Sequence, residues 1–144
     1  ANHISGPSRT GEGLYVAVQR ALEISGVSAS DVDYLSAHGT ATPFNDEMES
    51  KAFSRAGLSK APLNSMKGYF GHTLGAAGVI ETAVCLRSMR ENILLKTLGY
   101  SEYGVPEPIT ILSANTASPV NTCVKTASGF GGSNAALVLK KAPL

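Results

Sequence analysis

Helical and extended apolar periods alternate along this chain, which restricts it to folds in which helices cover a sheet. Leu14, Val18, Ala21 and Leu22 recur at helical spacing and stop at Gly26, predicting a helix over residues 12–25. Residues 33–37, "DYLSA", read as a short strand ending at His38-Gly39-Thr40, with Pro43 closing the loop that follows. Asn45, Asp46 and Glu49 resemble a helix start, and Met48, Ala52, Phe53 and Ala56 give that helix one apolar stripe ending at Gly57. Residues 62–65 are a second short strand. Leu74, Ala76, Ala77, Val79, Ile80, Ala83, Val84 and Leu86 make the next helix apolar over most of its circumference, the pattern of a helix buried between layers. Apolar runs at 93–98 and 109–114 are strand-like, residues 120–126 alternate weakly, and "AALVL" at 135–139 reads as a final strand with apolar character on both sides. The expected fold class is α/β, a mixed sheet flanked by helices.

At 144 residues the chain fits one domain. Lysine and arginine total 12 against 11 aspartate and glutamate, so no overall field steers it toward nucleic acid or an anionic membrane, and neither is expected as a partner. No apolar run approaches the length of a membrane span. Cys85 and Cys123 form no CxxC pair, which argues against a disulfide scaffold or a zinc site and fits a reducing compartment. The start "ANHISGP" is not a signal peptide, so the cytoplasm is the expected location. "NHISGPSRTGEG" reads as a surface loop already under way with no strand ahead of it, as though the chain were the latter part of something larger.

Three stretches carry chemistry. In "SAHGTATPFND", residues 36–46, His38 stands at a predicted strand end, where α/β folds bind ligands. Thr40 and Thr42 can hydrogen-bond an extended polar ligand; a tight turn with a bonded histidine is the plain alternative. In "SMKGYFGHTLGAAG", residues 65–78, His72 heads the long apolar helix, whose dipole favours a neutral imidazole able to donate one hydrogen bond to a developing oxyanion. Lys67 reads as an electrostatic neighbour or an exposed turn residue. Glu81, if buried, needs a charged partner, for which Lys67 is the natural candidate; a solvated helix face is the other reading. In "ASGFGGSNAALVL", residues 127–139, Gly129, Gly131 and Gly132 allow unusual dihedrals around Phe130, which is either a pocket gate or a core plug, and Asn134 can tie neighbouring loops together. The glycines make neither a P-loop nor a dinucleotide fingerprint, and two isolated histidines make a poor zinc site, so no metal and no bound cofactor are expected.

Together "AHGTATPFND", "NSMKGYFGHTLGAAG" and "SGFGGSNAALVLKK" resemble the C-terminal half of an elongating β-ketoacyl synthase of the thiolase-like superfamily, over nearly the whole chain. The resemblance implies the C-terminal half of a layered αβαβα fold and a decarboxylative Claisen condensation in fatty acid or polyketide synthesis. An acyl group on a cysteine is attacked by the carbanion equivalent released from malonyl thioester on an acyl carrier protein. By the family's motifs, His38 and His72 are the catalytic histidines and Lys67 organises them, supported by Glu81. Thr40 and Thr42 hold the pantetheine arm, Phe130 is the gatekeeper, Gly131 and Gly132 line the substrate site, and Asn134 supports the loop. The implied partners are acyl carrier protein and the N-terminal half of the synthase, in a homodimer or heterodimer. A chain-length-factor-like subunit or a carrier docking module is the alternative, and Lys51, Arg55, Lys60 and Lys67 are the basic residues that could form a docking patch.

The departures are specific. The family's nucleophilic cysteine belongs to the N-terminal half, and neither Cys85 nor Cys123 has its setting, so the chain alone is expected to form no acyl-enzyme. "ILLKTL" stands where the family shows a proline-rich segment, and the strand expected ahead of "HISGP" is missing.

Overall fold

The computed structural model describes residues 6–142. The expected strand ahead of "HISGP" falls outside these residues. Helix α1 (Glu12–Ser25) runs as the periodicity predicts and buries Leu14, Val18 and Leu22, each contributing about 1.5–3 kcal/mol. It stops at Gly26, whose φ of 64° lets its N–H reach back to the Glu23 and Leu22 carbonyls. Strand β1 (Tyr34–Ala37) follows, then α2 (Pro43–Arg55). This helix begins earlier than Asn45 and Asp46 suggest, because Pro43 takes the first helical position and Thr42 the cap.

Strand β2 (Pro62–Ser65) leads into the one-turn helix α3 (Lys67–Phe70), a 3-10 turn at Leu74–Ala76 and then α4 (Ala77–Glu91). Of the apolar runs beyond it, only β3 (Ile93–Leu94) and β4 (Thr110–Ile111) are extended, and β5 (Thr116–Ala117) pairs with β3 in a two-stranded ribbon. The last two strands, β6 (Thr122–Gly129) and β7 (Ser133–Lys140), form a hairpin, so the weakly alternating 120–126 region is a regular strand.

The main sheet has the order β4-β2-β1-β6-β7, parallel except for the antiparallel edge strand β7. Leu35, Leu63 and Val124 point to one face, where α1 and α2 cover them with Val18, Leu22, Ala52 and Phe53. Tyr34, Cys123 and Met66 point to the other, under Cys85 and Met89 of α4. Sheet-on-helix packing on both faces agrees with the expected mixed α/β architecture, a part of the thiolase-like layered fold.

Two expectations change. The final strand alternates between half-buried and exposed positions, with Leu137 46% exposed, because it lies at the sheet edge. Helix α4 is not buried all round: Ala77, Glu81, Cys85 and Met89, four residues apart, form the stripe that meets the sheet, while Val79 and Leu86 face outward at 76% and 52% exposure. A single sheet face can cover only one stripe of a helix. Among the described residues no helix is long and apolar enough to cross a membrane.

Candidate functional site

Parallel pairing builds the site. Ala37 stands opposite Ser65 at the ends of β1 and β2, so the next residues, His38 on one strand and Met66-Lys67 on the other, leave the sheet side by side. Gly39 holds this exit close, with φ 47° and a backbone so near Ser65 that an added Cβ would lie 2.5 Å from the Ser65 Cβ. The Ser65 hydroxyl donates to the Gly39 carbonyl at 2.6 Å.

Glu49 of α2, an anchor that motif reading did not single out, fixes the same turn from the other face. Its Oε1 accepts the His38 N–H at 2.8 Å and its Oε2 accepts the Gly39 N–H at 2.7 Å and the Asn45 amide at 2.8 Å. Burial pushes the Glu49 carboxyl up from its ordinary range, against the pull of the Gly39 and His38 N–H groups and Asn45.

His38 is buried and His72 exposed, yet their rings meet edge to face with centroids 5.0 Å apart and planes at 79°. His72 arrives by a different route from the one its sequence suggests. It lies ahead of the 3-10 turn and five residues before Ala77, the first residue of α4, so the helix dipole, which acts over the first turn, does not reach it. What orients it is the Leu74 N–H, donated to His72 Nδ1 at 3.1 Å. With Nδ1 accepting, the ring proton sits on Nε2.

Lys67 does the same for His38. Its ammonium donates to the His38 carbonyl at 2.5 Å, to Glu81 Oε1 at 2.9 Å and to His38 Nδ1 at 3.2 Å. An ammonium has no lone pair to offer, so Nδ1 is the acceptor and Nε2 keeps the proton. Burial first, then the Lys67 ammonium, with the neighbouring His72 and Lys125 adding to it and Glu81 opposing, bring the His38 pKa down to about 4. At neutral pH the ring is uncharged.

Glu81 is buried with Lys67 as partner, as the sequence suggests, and it has a second partner that motif reading missed. Lys125 of β6 pairs with Glu81 Oε2, and the three side chains are 3–7% exposed. Burial pushes the Glu81 carboxyl up, but Lys125 and Lys67 outweigh it and leave the pKa below the ordinary value. The signal for Lys125 was a lone lysine among apolar and small residues of a strand, Cys123-Val124-Lys125-Thr126-Ala127.

The remaining candidates divide. Thr40 and Thr42 bond to each other through their hydroxyls at 2.7 Å, beside the histidines' loop. Thr40, Gly39, Ser65 and Lys67 also line a cavity of about 460 Å³ that runs under the 97–102 segment and does not include either histidine. Phe130 is 83% exposed on the turn between β6 and β7 and does not line that cavity. Gly131 and Gly132 make the turn with φ of 78° each, and Asn134 closes it, accepting from Ser128 Oγ at 2.9 Å and donating to the Gly132 carbonyl at 3.2 Å.

Of the four basic residues suggested as a docking patch, Lys60 is exposed and the others have partners or are buried. Lys51 pairs with Glu47, Arg55 pairs with Glu12 and stacks on Tyr15, and Lys67 is buried. Cys85 and Cys123 are both free and buried in the core on the α4 face. Among the described residues, no group of three or more His, Cys, Asp or Glu side chains is placed to hold a metal ion.

Comparison with known proteins matches residues 1–101 to the family described as beta-ketoacyl synthase, C-terminal domain. The chain is 37% identical over 145 residues to 3-oxoacyl-[acyl-carrier-protein] synthase 2 of Rhizobium meliloti (strain 1021), covering 98% of this chain and 34% of that protein. Its fold superposes on the crystal structure of a beta-ketoacyl synthase from Burkholderia phymatum STM815 with a TM-score of 0.91 at 31% identity, over 99% of this chain and 35% of the other. A type II polyketide synthase acyl-carrier protein in complex with its ketosynthase, bound to the hexaketide, gives a TM-score of 0.89 at 28% identity, over 99% of this chain and 36% of that one. The chain thus spans about a third of the length of the relatives it matches. With the three motifs, the layered fold and the matched residues in agreement, the chain belongs to the beta-ketoacyl synthase C-terminal domain family.

Proposed function

We propose that residues 1–144 are the histidine-bearing C-terminal domain of a 3-oxoacyl-[acyl-carrier-protein] synthase, active only with the half that carries the nucleophilic cysteine. The observation that carries this reading is the meeting of two imidazoles, each with Nδ1 facing a donor, which leaves the ring proton on Nε2. Two such N–H donors brought to one oxygen suit a reaction in which negative charge develops there.

In that reaction the malonyl C–C bond breaks and carbon dioxide leaves. The electron pair moves onto the thioester, whose carbonyl oxygen becomes an enolate oxygen held by His38 and His72. The enolate carbon then attacks the acyl thioester on the cysteine of the other half, forming the new C–C bond and expelling the cysteine thiolate. Lys67 and Glu81 hold His38 in its tautomer. Thr40 and Thr42 receive the pantetheine arm, Gly131 and Gly132 line the substrate site, Phe130 is its gatekeeper and Asn134 supports the turn. Acyl carrier protein is the expected partner, in keeping with the ketosynthase complex to which the fold is similar. The outward apolar face of α4, with Val79 and Leu86, fits a chain that packs against a further half.

The test supplies the cysteine-bearing half of a relative in trans and measures malonyl-carrier-protein decarboxylation. His38→Ala and His72→Ala should each lower the rate by about 10²–10⁴. Unchanged decarboxylation in both variants rejects the assignment.

A further inference from the structure

Lys125 is a buried cation surrounded by oxygen. It shares the α4-facing side of β6 with Cys123, while Val124 points to the opposite core. Its ammonium donates to the Thr126 carbonyl at 2.7 Å and the Ala37 carbonyl at 3.1 Å, lies 3.5 Å from the Ser36 carbonyl, and pairs with Glu81 Oε2. Two of those carbonyls belong to the last residues of β1, immediately ahead of His38.

The same carboxylate therefore bridges two ammonium groups that grip one turn from two directions. Lys125 holds the backbone entering His38, and Lys67 holds the His38 carbonyl and ring. Isolated, Glu81 and Lys67 would leave the second carboxylate oxygen and the β1 carbonyls without a cationic partner on that side. Buried carbonyl and carboxylate oxygens need donors or a cation, and leaving them bare is costly.

We propose that Lys125 is a positioning residue that acts as a tethered cation: by occupying this oxygen cage it fixes Glu81 and, through Glu81 and Lys67, the orientation of the His38 ring. The role belongs to the positive charge at that point rather than to the aliphatic stem, so a small free cation can replace it once the side chain is cut back. This rests on the reading of His38 as a site residue, and the test therefore reads the ring's own state instead of turnover, so that it can fail while the condensing-enzyme reading stands.

Lys125→Ala in the intact protein is compared with the unsubstituted chain in urea denaturation at fixed ionic strength, in ammonium, methylammonium, potassium or tetramethylammonium chloride. The expected result is a lowered midpoint for Lys125→Ala that is largely and saturably recovered by ammonium or methylammonium and not by tetramethylammonium, with the unsubstituted chain indifferent to the choice. Lys125→Met, which fills the stem's volume without charge, is read by NMR titration of the His38 imidazole. Its midpoint should rise from about 4 toward the ordinary value near 6.5, since one cation that opposes protonation is gone and Glu81 is less compensated, and Lys125→Arg should return it most of the way. A Lys125→Ala chain that folds but gains nothing from small cations overturns the proposal, as does an unmoved His38 midpoint in Lys125→Met. If Lys125→Ala does not fold in any salt, the Lys125→Met titration alone decides, a raised midpoint supporting the proposal and an unchanged one overturning it.

Discussion

Glu81→Gln isolates the energetics of the site, because it removes one charge and almost no volume. In the native protein Glu81 stands between Lys67 and Lys125, with all three side chains at 3–7% exposure. Breaking a buried ion pair by removing one partner costs about 3–5 kcal/mol, since the remaining charge stays desolvated without compensation. Here two ammonium groups lose the same anion, which places the expected loss at or above the middle of that range, softened by the carbonyls of Ala37, Thr126 and His38 that still accept from them. A loss of about 4 kcal/mol is a large part of the 5–15 kcal/mol that holds a typical domain folded. With a urea slope of about 2 kcal/mol/M, the denaturation midpoint should fall by about 2 M. The control is Glu91→Gln on the same helix, where the Arg87–Glu91 pair is 46–68% exposed and worth about 0–1 kcal/mol. The pH dependence has a definite sign. The folded-state pKa of Glu81 lies below its ordinary 4.5, so the stability that its charge contributes is complete above 4.5 and is lost as pH falls through the folded value. The gap between Glu81→Gln and the unsubstituted protein should therefore close in acid. Equal midpoints for Glu81→Gln and Glu91→Gln at neutral pH would refute the account of a buried, paired carboxylate.

Two further outcomes follow from the same geometry. His38 should titrate near 4 in NMR, and because its folded pKa is depressed, its contribution to stability falls as pH drops from 6.5 to about 4 and is flat below that; a midpoint near 6.5 contradicts the burial and charge argument. Gly68→Ala should destabilise by about 1–3 kcal/mol, because the new Cβ would lie 2.3 Å from the Leu98 carbonyl oxygen, whereas Gly75→Ala, with nothing within 4 Å, should change stability by less than about 0.5 kcal/mol; thermal melts that rank them the other way refute the close approach of α3 to the 97–102 segment.

The elements legible in sequence were those with a local cause. Gly26 ends α1 where the apolar spacing stops, and β2 spans the residues its composition suggests. The meeting of His38 with Lys67 needed one more fact, the parallel pairing of Ala37 with Ser65, which no local pattern encodes. Where reading failed, the deciding neighbour was distant. Hydrophobicity around the circumference of α4 could not say which stripe a sheet would cover, and the nearness of His72 to that helix in sequence hid a 3-10 turn between them. Lys125 carries no motif of its own, and Glu49 counted only as part of a helix start. A glutamate on a helix and a lysine on a strand look solvated until the fold brings Glu49 under the His38 turn and Lys125 onto Glu81.

Those two charged residues change what the motif histidines can do. Glu49 is spent on backbone N–H groups, so its charge is committed to the shape of the turn and not to the rings. Around Glu81 the count is two ammonium groups to one carboxylate, a net positive charge beside His38. That excess disfavours protonation of the imidazole and equally favours negative charge on any oxygen brought to its Nε2–H. An imidazolium would also stabilise such an oxygen, but it would be free to hand over its proton and quench the charge. A neutral ring held by Lys67 on Nδ1 can only share its proton. Burial does most to keep the histidine neutral, and the two lysines around Glu81 add to it while favouring a developing anion at the same point.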